Sequence, residues 1–472
     1  MKTKYLFSSI ALISFLFGCN NENNSGIIPN GENKGGEGAQ SIYFTWTVTD
    51  ESEIKVFLTI STTSSTNDIL IDWGDGTGSL SYSGNDGLND DGTTKYTLTP
   101  RHTYANKGTY NVKVTAEMPH AFELFIGGGY KESISSLDVS ECINLTILYC
   151  AFSQLTHLDL SNNKDLESLY CCSNQLTHLD LSNNTNLNYL DCFSNQLTQL
   201  DLSNNTNLTY LKCPSNQLTH LDLSNNEGLR ILLCEFNQLT HLNLSNNKYL
   251  ERFFCSSNQL THLDLSNNEE LRILLCESNQ LTHLDLNSGL TDLECSFNQL
   301  TDLDLSSSKS LYSLHCHSNQ LTHLDLSNNT DLILLYCYSN QLTSLDLSNN
   351  ERLRNLVCYD NNIPLIDIFN ASEVINHREF GHNSSGTQIL ETVTWYEKTA
   401  VIDSVFWGNG TSFDVTLNEK AAVDNEDYSI NNGVISFLNK GLYSITMSNP
   451  MIVSDPEFPA KVIANFYIPN LQ

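Results

Sequence analysis

Cysteine recurs through the middle of this chain at one fixed spacing, and that spacing limits the folds open to it. Eleven of the 14 cysteines stand at positions 150, 171, 192, 213, 234, 255, 276, 295, 316, 337 and 358. Each step is 21 residues except one of 19, between positions 276 and 295. A constant period of about 20 to 30 residues is typical of a solenoid, in which each turn buries its apolar side only against its neighbours.

Each unit, aligned on its cysteine, reads L-x-x-L-x-C-x-x-N-Q-L-T-H-L-D-L-S-N-N-x-x. "LTHLDL" and "LTYLKC" both place apolar residues at their first, fourth and sixth positions, which predicts two inward-facing strands per turn and two narrow parallel sheets. The unit resembles the 21-residue bacterial leucine-rich repeat of the IRREKO type. We expect the solenoid and its caps at residues 120–385, with a tightened turn at 286–295, where two residues are missing.

Two columns of the repeat have structural interpretations. The eleven cysteines point inward, and because Cys is small and often fully buried, we expect a column of free thiols. Parallel Cβ atoms on adjacent turns are too far apart for a relaxed disulfide, so Cys142 and Cys172, which lie off the column, are the better candidates for oxidation. The asparagines that follow the cysteine strands are expected to bond backbone groups of the adjacent turn: Asn174, Asn195, Asn216, Asn237, Asn258, Asn279, Asn298, Asn319 and Asn340.

Residues 41–119 alternate apolar and polar residues in short stretches such as "EIKVFLTIST", which predicts a β-sandwich. "WGDGT" at 73–77 and "HTYANKGTYNVKV" at 102–114 resemble the paired motifs of PKD domains, Ig-like modules of bacterial surface proteins. Oxygen-rich loops can hold calcium, although a solvated loop is the favoured interpretation. The acidic residues at the first motif and in the insertion "SGNDGLNDDGTT" are Asp72, Asp75, Asp86, Asp90 and Asp91.

The N-terminus predicts the cellular compartment. "MKTKYLFSSIALISFLFGC" has two lysines, an apolar run too short to span a bilayer comfortably, and a cysteine at position 19, which indicates a signal peptide at residues 1–19. "LFGC" resembles the lipobox of bacterial lipoproteins, which implies that Cys19 is lipidated and anchors the protein in a membrane. Residues 20–40, rich in Asn and Gly, are expected to form a flexible tether. We therefore expect a cell-envelope lipoprotein of the outer membrane, exposed at the surface.

The C-terminal part, residues 386–472, returns to alternating strands such as "GLYSITMSN" and predicts a further β-domain. The expected fold class is therefore all-β. It comprises a leucine-rich-repeat solenoid with two narrow parallel sheets, flanked by a PKD-like β-sandwich and a C-terminal β-sandwich-like domain.

The repeated phrase "SNQLTHLDLSNN" places a histidine two residues before an aspartate. Both point to solvent and form columns that could chelate Zn²⁺ or another divalent ion. The pair is copied almost unchanged along the solenoid, whereas a catalytic site is built once, so a structural role is favoured and metal binding is the alternative. The columns comprise His157, His178, His220, His241, His262, His283 and His323, and Asp159, Asp180, Asp222, Asp264, Asp285 and Asp325.

The cysteine strand varies inside this constant frame, and such variation is typical of a recognition surface. Its outward positions carry aromatic and aliphatic residues in a row, and exposed apolar patches of this size tend to mark binding sites. Tyrosine and phenylalanine are favoured interface anchors and can stack on sugars. A capping domain or neighbouring chain that covers the strip is the alternative. The predicted ligand-binding residues are Tyr149, Tyr170, Tyr189, Tyr210, Leu233, Arg252, Phe254, Leu275 and Tyr336.

Composition and motifs exclude several classes of function. Acidic residues outnumber basic ones 54 to 23, a formal net charge of -31 that repels phosphate backbones and makes nucleic acid an unsuitable partner. The sequence has no G-x-S-x-G, H-E-x-x-H, phosphate loop or dinucleotide fingerprint. "HCH" at 315–317 puts two histidines on one face, which we interpret as fortuitous. We expect neither an enzyme nor a cofactor.

Three functional hypotheses follow, and the first is adhesion or protein binding through the strip, since internalin-like surface repeat proteins act in that way. Such an interface should spread over many turns and include Lys212, Arg252 and Glu294. Glycan capture is the second hypothesis and should depend on a few aromatics such as Tyr189 and Tyr210. A metal-binding or purely structural envelope protein is the third.

Overall fold

A computed structural model describes residues 39–48, 54–62, 69–82, 85–88, 94–98, 101–117, 119–127, 133–363, 382–384, 387–389, 393–394, 399–401, 412–424, 426–431, 434–448 and 461–468. The signal peptide, the tether and Cys19 lie outside these residues, as do residues 83–84 and 89–93 of the acidic insertion. The chain divides into two compact units, Met1–Gly228 and Leu229–Gln472. No helix long and apolar enough to cross a membrane is found in the part of the chain that is described.

Two antiparallel sheets precede the first repeat. One has the order β10-β1-β8-β3-β4, and in the other β2 pairs with β6, β7 and β9. Buried Trp46, Trp73, Val112 and Val114 contribute to the core, which is the packing expected of a β-sandwich. The strands are β1 (Ala39–Val48), β2 (Ile54–Thr62), β3 (Ile69–Asp72), β4 (Ser79–Tyr82), β5 (Asn85–Leu88), β6 (Thr94–Leu98), β7 (Arg101–His102), β8 (Gly108–Glu117), β9 (Pro119–Gly127) and β10 (Ser133–Asp138).

The two motifs that resemble PKD domains lie against each other in this region. The Trp73 and His102 rings stack with centroids 4.9 Å apart, and the Tyr104 hydroxyl donates to the Trp73 carbonyl at 3.0 Å. His102 Nε2 lies 2.7 Å from Asp75 Oδ2, and Asp75 Oδ1 accepts a hydrogen bond from the Thr77 amide. Asp75 therefore has a structural role in joining the motifs.

The first repeats extend one sheet of this region. Parallel strands β11 (Ile147–Tyr149), β12 (Ser168–Tyr170), β13 (Tyr189–Asp191) and β14 (Tyr210–Lys212) follow one another in register. β11 also pairs with β9, which pairs with β2 on its other side. The sandwich and the first turns of the solenoid therefore share one sheet in the first unit.

The second unit continues the repeat pattern in a sheet of order β15-β16-β18-β20-β21-β22-β23. A second sheet, by contrast, contains only β17 and β19 within the described residues. "LTHLDL" has two adjacent outward residues, so only its last residues alternate, and few of these segments form a strand. The strands are β15 (Ile231–Leu233), β16 (Arg252–Phe254), β17 (His262–Asp264), β18 (Ile273–Leu275), β19 (His283–Asp285), β20 (Asp292–Glu294), β21 (Ser313–His315), β22 (Leu334–Tyr336) and β23 (Asn355–Val357).

The turn with two missing residues is tightened, as its length predicts. Asn287 Nδ2 donates to the Leu271 carbonyl at 3.0 Å and closes the shortened turn. Gly289 approaches the preceding turn so closely that a Cβ there would lie 2.6 Å from the Glu269 carbonyl oxygen and would also clash with the Arg272 guanidinium. Glycine is therefore required at the point where the chain takes the shorter path.

The C-terminal strands form two further sheets. One has the order β25-β33-β32-β28-β29, with β26 also on β33, and the other has the order β27-β31-β30. Val415, Ile435, Phe437, Tyr443 and Ile445 are buried and contribute to the core. β24 instead pairs in parallel with β23 of the solenoid. The strands are β24 (His382–Ser384), β25 (Thr387–Ile389), β26 (Val393–Thr394), β27 (Thr399–Val401), β28 (Ser412–Leu417), β29 (Lys420–Ala421), β30 (Tyr428–Asn431), β31 (Val434–Phe437), β32 (Gly441–Ser448) and β33 (Lys461–Ile468).

In nine turns the asparagine after the cysteine strand bonds the backbone of two turns, as predicted. Asn195 Nδ2 donates to the Cys171 carbonyl at 3.0 Å and to the Cys192 carbonyl at 3.1 Å, while its Oδ1 accepts from the Leu176 amide at 3.0 Å. Equivalent bonds recur at Asn174, Asn216, Asn258, Asn279, Asn298, Asn319, Asn340 and Asn361.

A second asparagine column, in the "LSNN" segment, also hydrogen-bonds the backbone of neighbouring turns. The sequence analysis did not predict this role. Asn184 is fully buried, and its Nδ2 donates to the Leu160 and Asn163 carbonyls at 3.1 and 2.8 Å. Ser308 replaces asparagine in one turn, and its hydroxyl donates to the Asn287 carbonyl at 2.9 Å. The second column therefore tolerates a shorter side chain.

We predict that Asn195→Ala destabilises the protein by about 3 kcal/mol, because buried backbone groups on two turns lose their partners at about 1–3 kcal/mol each. Asn184→Ser is the matched control and should cost about 1 kcal/mol, since Ser308 already makes the corresponding bond. Urea denaturation followed by circular dichroism measures the free energy of unfolding of both variants. Equal losses of stability would contradict the prediction that Asn195→Ala is the more damaging change.

Candidate binding surface

Four tyrosines of the first unit form one continuous stack on the outward side of the cysteine strands. Tyr149 and Tyr170 occupy the last positions of β11 and β12, whereas Tyr189 and Tyr210 occupy the first positions of β13 and β14. Successive ring centroids are 3.9, 4.6 and 4.4 Å apart, and neighbouring planes are within 29° of parallel. The stack therefore crosses the sheet from one outward column to the other.

Stacking leaves each of these tyrosines half-buried. Stacked aromatic pairs are stabilised by about 0.5–1.5 kcal/mol beyond the burial of their area. Burial raises the pKa of Tyr189 well above its ordinary value, and the neighbouring Tyr210 and Asp191 add to the rise. The stack is therefore a rigid array in which the ring faces between successive tyrosines are covered and the ring edges are presented outward.

The outward column beside the stack contains an ion pair. Lys212 Nζ lies 3.2 Å from Asp191 Oδ2 and 5.0 Å from the Phe193 ring centroid. Only 13% of the Lys212 side chain and 2% of the Asp191 side chain are exposed. Burial raises the pKa of Asp191, and the nearby Lys212 charge opposes that rise without cancelling it. Lys212, which was expected in the interface, therefore pairs with Asp191 inside the surface layer.

In the second unit the predicted ligand-binding positions are mainly apolar. Leu233, Phe254 and Leu275 are half-buried at the last positions of β15, β16 and β18, and Arg252 is exposed at the first position of β16. Arg252 lies opposite Ile273 in the parallel register, and Phe254 lies opposite Leu275. The structure therefore places these residues together on one face of the second unit.

Glu294, His315 and Tyr336 follow one another in the outward column of β20, β21 and β22. His315 Nδ1 lies 3.0 Å from Glu294 Oε2, and the His315 ring stacks on Tyr336 with centroids 4.4 Å apart. Only 5% of the Glu294 side chain is exposed. Glu294 was expected to face solvent at the interface, and this is corrected because His315 covers it.

A second set of rings lies one or two residues after the cysteine, where the sequence analysis assigned no function. His317 stacks on Tyr338 at 4.1 Å and Tyr338 on Tyr359 at 4.6 Å, while Phe297 meets His317 edge-on at 5.0 Å. We define these four residues and the neighbouring Asp360 as the terminal aromatic patch. The sequence signal was present, because three consecutive turns place a ring directly after the cysteine, and "HCH" supplies one of them.

The histidine and aspartate columns are exposed, and only the aspartates have a repeated structural task. Asp222 Oδ1 accepts a hydrogen bond from the Ser224 amide at 3.0 Å, an Asx turn that fixes the chain after the strand. Asn243 replaces aspartate in one turn and accepts the same bond from Ser245 at 3.0 Å. An amide therefore serves as well as a carboxylate. Across the described residues, no three His, Cys, Asp or Glu side chains are grouped so that they could hold a metal ion.

The cysteines of the 21-residue series are buried free thiols, as predicted. Burial raises the pKa of the Cys150 thiol to about 12, so little thiolate forms near neutral pH. Of the three cysteines outside the series, Cys142 is also a buried free thiol, Cys172 is buried, and Cys19 lies outside the described residues. The thiol column therefore belongs to the core and not to a reactive site.

We predict that Asp222→Asn leaves stability at pH 7 unchanged, Asp222→Ala lowers it, and His220→Ala has no effect. The Ser224 hydrogen bonds lower the pKa of Asp222. Its stabilising contribution is therefore present above about pH 4 and is lost as the pH falls through the lowered value. Urea midpoints at pH 7 and pH 3 test this, and a large loss in His220→Ala would instead indicate a role for the histidine column.

We predict that Lys212→Met destabilises the protein by about 3 kcal/mol at pH 7, because Asp191 loses the cation that compensates its buried charge. The pKa of Asp191 is already raised, so its favourable contribution is present below about pH 4 and is lost as the pH rises through the raised value. The defect should therefore shrink near pH 4. The double variant with Asp191→Asn should recover stability at pH 7, and a defect independent of pH would contradict this account.

Comparison with solved structures identifies leucine-rich-repeat proteins. The functional domain of InlJ from Listeria monocytogenes, which includes a cysteine ladder, is 28% identical, with 71% of this chain and 88% of that chain covered and a TM-score of 0.43. An internalin from the same organism, InlF, is 25% identical, with coverage of 53% and 77% and a TM-score of 0.50. A leucine-rich-repeat protein of Leptospira interrogans, LIC12759, is 20% identical, with coverage of 51% and 79% and a TM-score of 0.41.

No protein-family model matches the chain, and no curated protein is similar to it in sequence. The likeness to InlF and the parallel strands of the repeats confirm the predicted fold class, an all-β chain with leucine-rich-repeat turns. Internalin-type leucine-rich-repeat proteins are thus its structural neighbours.

Proposed function

We propose that this protein is a non-enzymatic binding protein, anchored in the cell envelope, that recognises another protein through the outward residues of its cysteine strands. The observation that carries the proposal is the rigid stack of Tyr149, Tyr170, Tyr189 and Tyr210 on a strand face that varies inside a constant repeat. The likeness to an internalin supports this role, because internalin-like surface proteins act by adhesion or protein binding.

Rigidity favours recognition through this surface. Ordering flexible side chains costs about 0.5–1.5 kcal/mol each when two proteins bind. The four stacked rings lose less freedom, because they are already held against one another in the unbound protein. Tyrosine edges and hydroxyls can then contact a partner at low entropic cost.

Stacking of the tyrosines also favours a protein ligand over a glycan. Sugars stack against the faces of aromatic rings, but the faces between successive tyrosines are covered by their neighbours, at centroid distances of 3.9 to 4.6 Å. Contacts with ring edges and hydroxyl groups suit the mixed polar and apolar surface of a protein. Glycan capture is therefore the weaker alternative for this face.

Anchoring forms part of the proposal and rests on the sequence. Lipidation of Cys19, after a signal peptide at residues 1–19, would tether the folded units through residues 20–40. An outer-membrane lipoprotein held in this way at the cell surface would display the strand face to partners outside the cell.

The test screens the full exported chain against arrays of surface proteins and glycans. Tyr149→Phe, Tyr170→Phe, Tyr189→Phe and Tyr210→Phe are combined, because phenylalanine keeps the ring stack and removes the hydroxyl groups. We expect binding to a protein that weakens about tenfold in this variant, since tyrosine is a common interface hot spot. His178→Ser combined with His220→Ser alters the other outward face of the same unit and should leave binding unchanged.

Two outcomes would overturn the proposal. Protein binding that the tyrosine and histidine variants weaken equally would exclude the strand face as the recognition surface. Binding to glycans alone, retained in the phenylalanine variant, would show that rings rather than hydroxyls are recognised and would replace protein recognition by glycan capture.

A further inference from the structure

The terminal aromatic patch departs from the repeat consensus at positions where the fold itself does not require rings. The position directly after the cysteine is Ser256 and Ser296 in two turns of the same unit, whereas His317, Tyr338 and Tyr359 occupy it in the last three. Serine at this position is therefore compatible with the turn. The repeat therefore folds without an aromatic residue at this position.

Phe297 is the clearest case of a ring that the fold does not require. It has a φ of 53°, in the left-handed region that bulky residues rarely adopt. Most other turns place serine at this backbone position, for example Ser257 and Ser278 with φ of 57° and 55°. Phe297 is nevertheless 46% exposed. A large apolar side chain at a strained, exposed position contributes little to folding and is suited to contact with a partner.

Three carboxylates lie on or beside the strands around the patch. Asp360, next to Tyr359, is exposed and Asp292 is half-buried, whereas Glu294 is covered by His315. The Lys and Arg residues of the same turns are Lys309, Arg352, which pairs with Asp331, and Arg354. Burial lowers the pKa of His317 to about 4, so its imidazole is neutral near pH 7. By contrast, Asp191, which lies at an outward position of a cysteine strand in the first unit, pairs with Lys212.

We propose that the terminal aromatic patch docks an arginine-bearing segment of a protein partner. Guanidinium groups stack on aromatic rings and also pair with carboxylates in a fixed planar geometry. Phe297 supplies an exposed ring on which a guanidinium can stack, and Asp360 supplies an exposed carboxylate. His317, which Phe297 meets edge-on, is held rigidly by its stack with Tyr338 and Tyr359. This proposal rests on the proposed function and names the chemistry of the partner at a patch of the second unit.

Arginine fits the patch better than lysine. Lysine is a strongly hydrated point charge without a flat surface, so it would gain from Asp360 but little from the rings. General attraction to a chain of net charge -31 would not distinguish the two cations. A preference for arginine is therefore the specific signature of docking at this patch.

The experiment uses the full exported chain and three fluorescent synthetic peptides that differ only in carrying arginine, lysine or glutamine at the same three positions. Fluorescence anisotropy at physiological salt measures the affinities. We expect the arginine peptide to bind about tenfold more tightly than the lysine peptide, and the glutamine peptide to show no measurable binding. Equal affinities for arginine and lysine would overturn the proposal.

Two patch variants keep the fold by using residues that suit these backbone positions. Phe297→Ser restores the residue found in most other turns, and Asp360→Asn places an amide where φ is 52°, a conformation that asparagine adopts readily. Each should weaken the arginine peptide about fivefold to tenfold, in proportion to a lost cation–π or ionic contact. Circular dichroism confirms that both variants are folded.

Asp304→Asn and Asp325→Asn are the matched controls. Each removes one negative charge from the aspartate column of the same unit, and Asn243 shows that the turn accepts the amide. They should bind the arginine peptide as the parent does. An equal loss in controls and patch variants would show that only overall charge attracts the peptide and would reject the patch.

The experiments distinguish failure of the arginine site from failure of the proposed function. A protein partner whose binding depends on the tyrosine hydroxyls but is unaffected by Phe297→Ser and Asp360→Asn would leave the proposed function standing and reject the arginine site. Loss of partner binding in both sets of variants, together with the arginine preference of the peptides, would support both.

Discussion

Hydrogen bonds from buried asparagine side chains to the backbone hold the turns of the solenoid together. Each strand of the repeat is three residues long, so most of a 21-residue turn lies outside a regular ladder and its buried amides and carbonyls need other partners. Asparagine carries two donors and an acceptor on one short side chain. Asn195 accordingly joins carbonyls of two turns and an amide between them. The leucine core can pack only because these backbone groups are satisfied.

The same requirement explains why the repeat architecture was predictable. A column that carries an obligatory bond cannot vary, so the asparagines, inward leucines and cysteines recur at a period that the sequence displays directly. The fold class, the thiol column and the tightened turn before Cys295 all follow from that period. Gly289 confirms the predicted tightening. Because the turn is two residues shorter, the chain passes so close to Glu269 that position 289 has no room for a side chain.

Contacts between neighbouring outward side chains could not be predicted from the sequence. Periodicity indicates that Asp191, Lys212, Glu294 and His315 point outward. It does not show that each pairs with a residue one turn away, or that Asp191 and Glu294 are buried by that pairing. The diagonal course of the tyrosine stack has the same origin. Tyr170 and Tyr189 lie in different columns, and only the actual distance between their rings, 4.6 Å, shows that they meet. Contacts across turns depend on rotamers, which a repeat pattern does not encode.

The two outward faces of the repeat also differ in whether their side chains hydrogen-bond to the backbone. On the "LTHLDL" side, aspartate closes a turn, so it can change only to a residue that makes the same bond, as Asn243 does. The outward positions of the cysteine strand carry no bond that recurs from turn to turn, although Asp191 and Glu294 each accept one from the amide two residues on. The position after the cysteine accepts serine, proline, glutamate or a ring. Such positions can diverge without loss of the fold. Rings gathered there by divergence, and packed into rigid stacks, are consistent with selection for contact with a partner rather than for stability, and for that reason the cysteine-strand face carries the functional proposals.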